Sequence, residues 1–289
     1  MKIDIRIPKT FPAITVKEVL EDYFLIPRKI RHFLRTKKHV RVNGKLINWQ
    51  SPINAGDLLE LIFDEDDYPE KRITLGQANL VHELYQDEHL IIVNKPEGMK
   101  THGNEPTELA LLNHVSAYVG QTCYVVHRLD KETSGAIGFA KNPFILPILN
   151  RLLEKKVIYR DYLALCQGTI AKTPWIITDK IGRDRHDRRK RLVDNHKGKE
   201  ALTQVSLLRT FRKNSLVNCR LQTGRTHQIR VHLAHHGHSL IGDPLYSKVS
   251  APRLMLHAHT LSLTHPLTLE RIKVEAPSES FERVLKQQK

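Results

Sequence analysis

From Leu80 onward the chain breaks into short β-rich runs separated by polar turns: HLIIVNKPEGM, CYVVHRL, GAIGFAKN, DYLALCQG, LVNCRLQ and RLMLHAHTLSL. Each reads as a strand, bounded by residues that favour turns. PFILPILNRLLEKK is the clearest helix among them and THQIRVHLAHHG a second. These helices do not alternate regularly with the strands, so a doubly wound parallel sheet is disfavoured. The pattern predicts an α+β fold with a mainly antiparallel sheet.

The first seventy residues read as a separate small α/β module. Val16, Val19, Leu20 and Phe24 share one helical face, with Thr15 available as its cap. Pro27 suits the first turn of a second helix, IPRKIRHFLR, whose Ile30, Phe33 and Leu34 face inward. Arg28, Arg31 and Arg35 are spaced to project from its other side. VRVNGKLI then reads as a hairpin, because Asn43-Gly44 supplies the positive φ angles of a tight turn. Asp64-Glu65-Asp66-Asp67-Tyr68-Pro69-Glu70 packs five acids into seven residues and reads as a solvated hinge. We therefore divide the chain into 1–70 and 71–289.

Charge narrows the function. Lys and Arg total 46 against 31 Asp and Glu, a net +15 with histidines neutral. Such an excess implies a polyanionic partner. It is also concentrated: Pro27 to Ile47 holds eight Lys/Arg and no acid, and Lys180 to Glu200 holds nine against four. A basic helix beside a basic hairpin suits RNA phosphates, through Arg28, Arg31, Arg35, Lys37, Lys38, Arg41 and Lys45. The second run is expected to form a loop over RNA, using Arg188, Arg189 and Arg191. No stretch approaches the roughly 18 uncharged apolar residues of a spanning helix, and MKIDIRIPKT lacks an apolar signal core. Three cysteines, Cys123, Cys166 and Cys219, have no paired spacing. A cytoplasmic monomer that makes no use of membranes is the expectation.

Two constellations carry candidate chemistry. In HRLDKETSG, His127 to Gly135, Asp130 ends a presumed strand and faces a cleft, with Arg128 two residues back on the same face. Ordinary turn chemistry is the competing reading. In QTGRTHQIRVHLAHHGHSLIGDPLY, Gln222 to Tyr246, Thr226 caps a helix carrying His227, Arg230 and His232. Its histidines invite a metal reading, yet no HExxH glutamate is present, and we assign neither metal nor cofactor.

FLRTKKHVRVNGKLINWQSPINAGDLLEL resembles the alpha-L RNA-binding module. More extensively, HRLDKETSGAIGFAKN resembles the signature of the RluA family of pseudouridine synthases. NKPEGMKTHG, RDYLALCQG, GRTHQIRVHLAHHGHSLIGDPLY and LMLHAHTLSLTHP resemble the family's other motifs, in the right order from Leu80 to Pro266. The resemblance implies a pseudouridine synthase catalytic domain behind an RNA-binding module. It assigns Asp130 as nucleophile, Tyr162 as the ring that stacks on the target base, and Arg230 as the cation paired with the aspartate. Arg128 would fill the space the flipped base vacates, and Leu256 or a neighbour would line the uracil pocket. His127, Arg225 and His227 lie in the same motifs and join the substrate-binding set. One departure is Arg160, where the family usually has lysine two residues before the tyrosine.

That chemistry suits those residue types. Converting uridine to pseudouridine breaks the bond from C1′ to N1, turns the base, and rejoins it through C5. A carboxylate can attack C1′, add to the ring, or remove the C2′ proton. The substrate expected is ribosomal RNA, with transfer RNA as alternative. A non-catalytic ribosome-associated factor and a metal-dependent nuclease are the competing functions.

Overall fold

The computed structural model describes residues 1–289 apart from Thr10, Pro69, Glu70, Pro106, Lys172 and Lys289. In the N-terminal unit a four-stranded antiparallel sheet runs in the order Lys2–Arg6, Leu58–Ile62, Val40–Val42, Lys45–Leu46. Alternation decides its faces: Ile3, Ile5, Val40, Val42, Leu59 and Leu61 point into the core. Asn43 and Gly44 hold positive φ angles of 50° and 77°, as the hairpin requires. Thr15 caps the first helix in a reciprocal arrangement with Glu18. Val16, Val19, Leu20 and Phe24 are all fully buried. That helix is not α throughout. After Val16–Glu18 it widens into a π-type turn over Val19–Tyr23, where the Phe24 N–H donates to the Val19 carbonyl.

The basic helix spans Arg28–Thr36, with Leu34 buried beneath it. Its polar face is less uniform than the spacing suggests. Arg31 is drawn inward to Glu21 and to the Ile26 carbonyl. Lys37 is held 2.8 Å from Asp64 and 2.7 Å from Asp67. The acidic segment keeps Asp64, Glu65 and Asp66 exposed, and over Asp64–Tyr68 it folds back on the helix end and packs Tyr68 edge-on against Phe63. Its last two residues, Pro69 and Glu70, which hold the boundary drawn at 70, lie outside the described residues.

Among the described residues the second sheet has ten strands. Asn214–Leu221, Tyr159–Gln167, Leu256–Thr264, Ser134–Ala140 and Leu90–Lys95 lie side by side at its centre. The pairings are antiparallel except where Ser134 and Gly135 run parallel to His257 and Ala258. Gly135 is required at that junction. Its φ is 118°, and a Cβ there would sit 2.2 Å from the Ala258 carbonyl oxygen. Helix Ile145–Glu154 buries Ile145, Ile148, Leu149 and Leu152 in one stripe. This stripe joins the N-terminal unit. Phe144 meets Phe63 at 5.4 Å between ring centroids, and Arg151 donates to the carbonyls of Leu25 and Ile26. One apolar cluster thus continues from Ile3 to Ile272 across both units.

Candidate active site

A cavity of about 600 Å³ opens beside the central strands. Its walls come from four segments distant in sequence: His127–Asp130, Arg160 and Tyr162, the Leu221–Ile229 turn, and Leu256. The Asp130 segment is not the strand expected of CYVVHRL, since only Tyr124–Val125 pairs with a neighbour. The reason is local. The Thr101 hydroxyl accepts from the Leu129 N–H and donates to the Leu129 carbonyl, occupying groups a strand partner would use. Inside–outside alternation persists nonetheless, with His127 and Leu129 buried and Arg128 exposed. Beneath the following turn Lys95 is fully enclosed, donating to the carbonyls of Pro96, Met99 and Lys131. Burial pulls its pKa down to about 8. The NKPEG turn is thereby fastened to the aspartate turn.

Asp130 keeps 23% of its side chain exposed to the cavity. Behind it Arg230, 1% exposed, reaches its carboxylate with Nη1 at 3.2 Å. The structure corrects the neighbourhood of Arg230 in two respects. Its helix, Gln228–His235, is preceded by His227 at the cap position with φ 59°, not by Thr226, and no side chain caps it. Its main partner is Asp243, which the sequence reading missed: Nε and Nη2 both donate to the Asp243 carboxylate at 2.8 Å. Asp243 also accepts from the N–H groups of Leu245 and Tyr246. Burial opposes the Arg230 charge, but the two aspartates outweigh it and raise its pKa above the ordinary value. A signal was present in the GDPLY run, where a lone acid follows an apolar stretch. No spacing rule tied it to Arg230.

Tyr162 is 4% exposed and lines the cavity with Leu256. Burial, with Asp130 adding to it and Arg160 opposing, raises its phenol pKa. His127 accepts from the Gly138 N–H through Nε2, and burial with the nearby Arg160 charge lowers its pKa to about 3. His227 shares a hydrogen bond with the Tyr246 hydroxyl and lies 3.8 Å from Asp130. Arg225 lines the rim and donates to the Glu200 carbonyl. Arg128 lines it from the other side.

The second basic run is not a plain loop. Ile181–Arg183 and Arg191–Val193 form an antiparallel hairpin, with Arg188 and Arg189 exposed at its tip. The Arg191 N–H donates to the Tyr246 hydroxyl, which links the tip end of the hairpin to His227. The histidine-rich stretch is largely used by the fold. His232 bridges Thr203 and the Asp179 carbonyl, and His257 bridges Ser134 and the Ala276 carbonyl. Asp179, His235 and His236 do bring ligand-capable atoms within 4.8 Å of one another, with His236 bonded to Asp179.

Residues 89–235 match the family described as RNA pseudouridylate synthase. The chain belongs to this family. It is an RNA pseudouridine synthase, of the RluA/RluD type. Residues 3–59 match the N-terminal domain of RluD ribosomal pseudouridine synthases, in the position of the predicted module. The synthase is 39% identical over 251 residues to the uncharacterized RNA pseudouridine synthase YhcT of Bacillus subtilis, covering 83% of this chain and 82% of that one. It is 33% identical to the ribosomal large subunit pseudouridine synthase D of Nitrosomonas europaea, over 95% and 84% of the two chains. Among solved structures it resembles human RNA pseudouridylate synthase domain containing 1, at a TM-score of 0.59 and 27% identity, over 71% and 86% of the chains. In the synthase, no helix among the described residues is long and apolar enough to cross a membrane.

Proposed function

We propose that this synthase isomerises a specific uridine of large-subunit ribosomal RNA, using Asp130 as nucleophile on a base turned out of its stack. The observation that carries the reading is the Asp130 carboxylate, open to the cavity on one side and backed by the enclosed Arg230–Asp243 pair on the other. The fixed guanidinium orients that carboxylate and remains its hydrogen-bond partner when a base fills the cavity and excludes water. The carboxylate is then available to C1′, the uracil ring or the C2′ proton. Extrusion costs a few kcal/mol, which stacking on Tyr162 and contact with Leu256 offset. Tyr162 keeps its proton at neutral pH, so its hydroxyl, or a water, is suited to the late proton transfer at C5. The reaction involves neither redox change nor hydrolysis, and the proposal includes no metal or cofactor.

Arg128, His127, Arg225 and His227 would hold the nucleotides around the cavity. Farther out, Arg28, Arg35, Lys38, Arg41 and Lys45 are exposed on the N-terminal unit, and Arg188 and Arg189 on the hairpin. These are the groups we assign to RNA phosphates, with Arg191 where the second strand meets the tip. Arg31, Lys37 and, at the hairpin tip, Arg189 are paired with carboxylates and contribute less. Residues 1–70 would grip structured RNA while 71–289 carry the chemistry, as a cytoplasmic monomer. Ribosomal RNA is favoured because several relatives are named as large-subunit synthases. Tritium release from C5-labelled RNA of a strain lacking the protein tests this. Release is expected from the ribosomal pool. Release confined to transfer RNA would overturn the substrate, and tight binding without release from either pool would favour a non-catalytic factor.

A further inference from the structure

Cations crowd the cavity rim. Arg128, Lys156, Arg160 and Arg225 line it, against only Asp130 and Glu154 as acids. Arg160 differs from the others. Its Nε is buried and has no hydrogen-bond partner among the described residues. Two nearby acids are taken: Asp161, on the opposite face of the strand, grips Arg220 at 2.7 and 3.0 Å, and Asp130 is held by Arg230. With Nε enclosed, the donors Arg160 can offer a ligand are its Nη groups, and an anion meeting them would offset the cost of a half-enclosed guanidinium without a carboxylate partner among the described residues. Gly224 stands across from it. A Cβ there would come within 3.2 Å of Arg160 Nη1, so glycine keeps that end of the guanidinium free. The adjacent His127 is enclosed and neutral and offers no competing charge.

We propose that Arg160 forms an anion subsite at the cavity wall that takes a backbone phosphate flanking the flipped uridine. Two residues along the same strand from Tyr162, it lines the same cavity as the stacking ring. A planar fork of donors matches two phosphate oxygens at once, which a neutral uracil carbonyl does not offer. Arg160 would therefore fix the sugar–phosphate so that C1′ is presented to Asp130. This role rests on the flipped-base reading above.

The test first locates the pseudouridine made by the wild type and builds an RNA stem–loop around it. Binding is measured with each flanking phosphate replaced in turn by a neutral methylphosphonate, with 2′-deoxy sugars at the target and the preceding nucleotide. Wild type and Arg160→Gln are compared, and kcat and KM are measured on the all-ribose RNA. Arg160→Gln is expected to weaken binding about tenfold. One neutral linkage should do the same to wild type, and the two changes together should cost no more than either alone. Arg160→Lys should recover part of the loss, and KM should rise more than kcat falls. Multiplicative losses at both linkages, or a fall in kcat with KM unchanged, would overturn the phosphate assignment and point to the uracil. Full turnover by Asp130→Asn would instead remove the aspartate reading itself, and that result is independent of Arg160.

Discussion

At Asp130 the deciding interaction lies one residue behind the carboxylate. Arg230 gives two of its donors to Asp243 and one to Asp130, so its orientation is set by a partner that never faces the cavity. Removing one member of an enclosed ion pair strands the other, typically at about 3–5 kcal/mol. Asp243→Asn keeps the shape but turns an amide donor toward a guanidinium. It should lower the thermal midpoint and reduce kcat by roughly 10–100-fold with a smaller change in KM. Unchanged kcat in tritium-release kinetics would refute the positioning role. That Asp130, Tyr162 and Arg230 meet at one cavity was legible in the sequence, because they stand inside long motifs. Asp243 was not, because a contact across 13 residues depends on how the helix end and the following turn close on each other.

Element by element, the strands were legible wherever alternation coincided with an available partner. Leu90–Lys95 falls inside the run that predicted it, and Ser134–Ala140, Tyr159–Gln167 and Leu256–Thr264 overrun theirs by one or two residues at one end. HRLD alternates too, yet the Thr101 hydroxyl replaces its partner and leaves Asp130 on irregular backbone. Alternation shows which face is inside, not whether a neighbouring strand is there. The basic run over Lys180–Glu200 gave charge without period, and its hairpin emerged only from pairing Ile181–Arg183 with Arg191–Val193. Because that hairpin is tied to Tyr246 near the cavity, it is placed to meet flanking RNA. Replacing Arg188, Arg189 and Arg191 by alanine should raise KM several-fold and flatten the salt dependence of binding, with kcat little changed. Unchanged kinetics on structured RNA would exclude the hairpin from binding.

Over the whole molecule, the two units share one apolar cluster and are tied by Phe63, Phe144 and Arg151. Composition could not reveal this: an acidic run gives no sign that Lys37 holds Asp64 and Asp67 to the helix end. Enclosure on this scale has a cost in acid. Burial lowers the pKa of His127 to about 3 and of His257 to about 4, and it shifts His89, His114, His232 and His265 the same way. Unfolded, these rings take up protons near pH 6.5, whereas folded they do so only at lower pH. The unfolded state therefore binds more protons below that pH, and stability must fall as pH drops from about 7 to about 5, above the carboxylate range. Urea midpoints across that interval would show the decline, and a level profile would contradict it.

The central claim is that a carboxylate in this cavity performs the isomerisation, and tritium release from C5-labelled RNA by wild type and Asp130→Asn, side by side, tests it most directly. Release is expected from the wild type and none above background from Asp130→Asn, which should still bind RNA because the substituted side chain keeps its size. Release by Asp130→Asn at the wild-type rate would contradict the account.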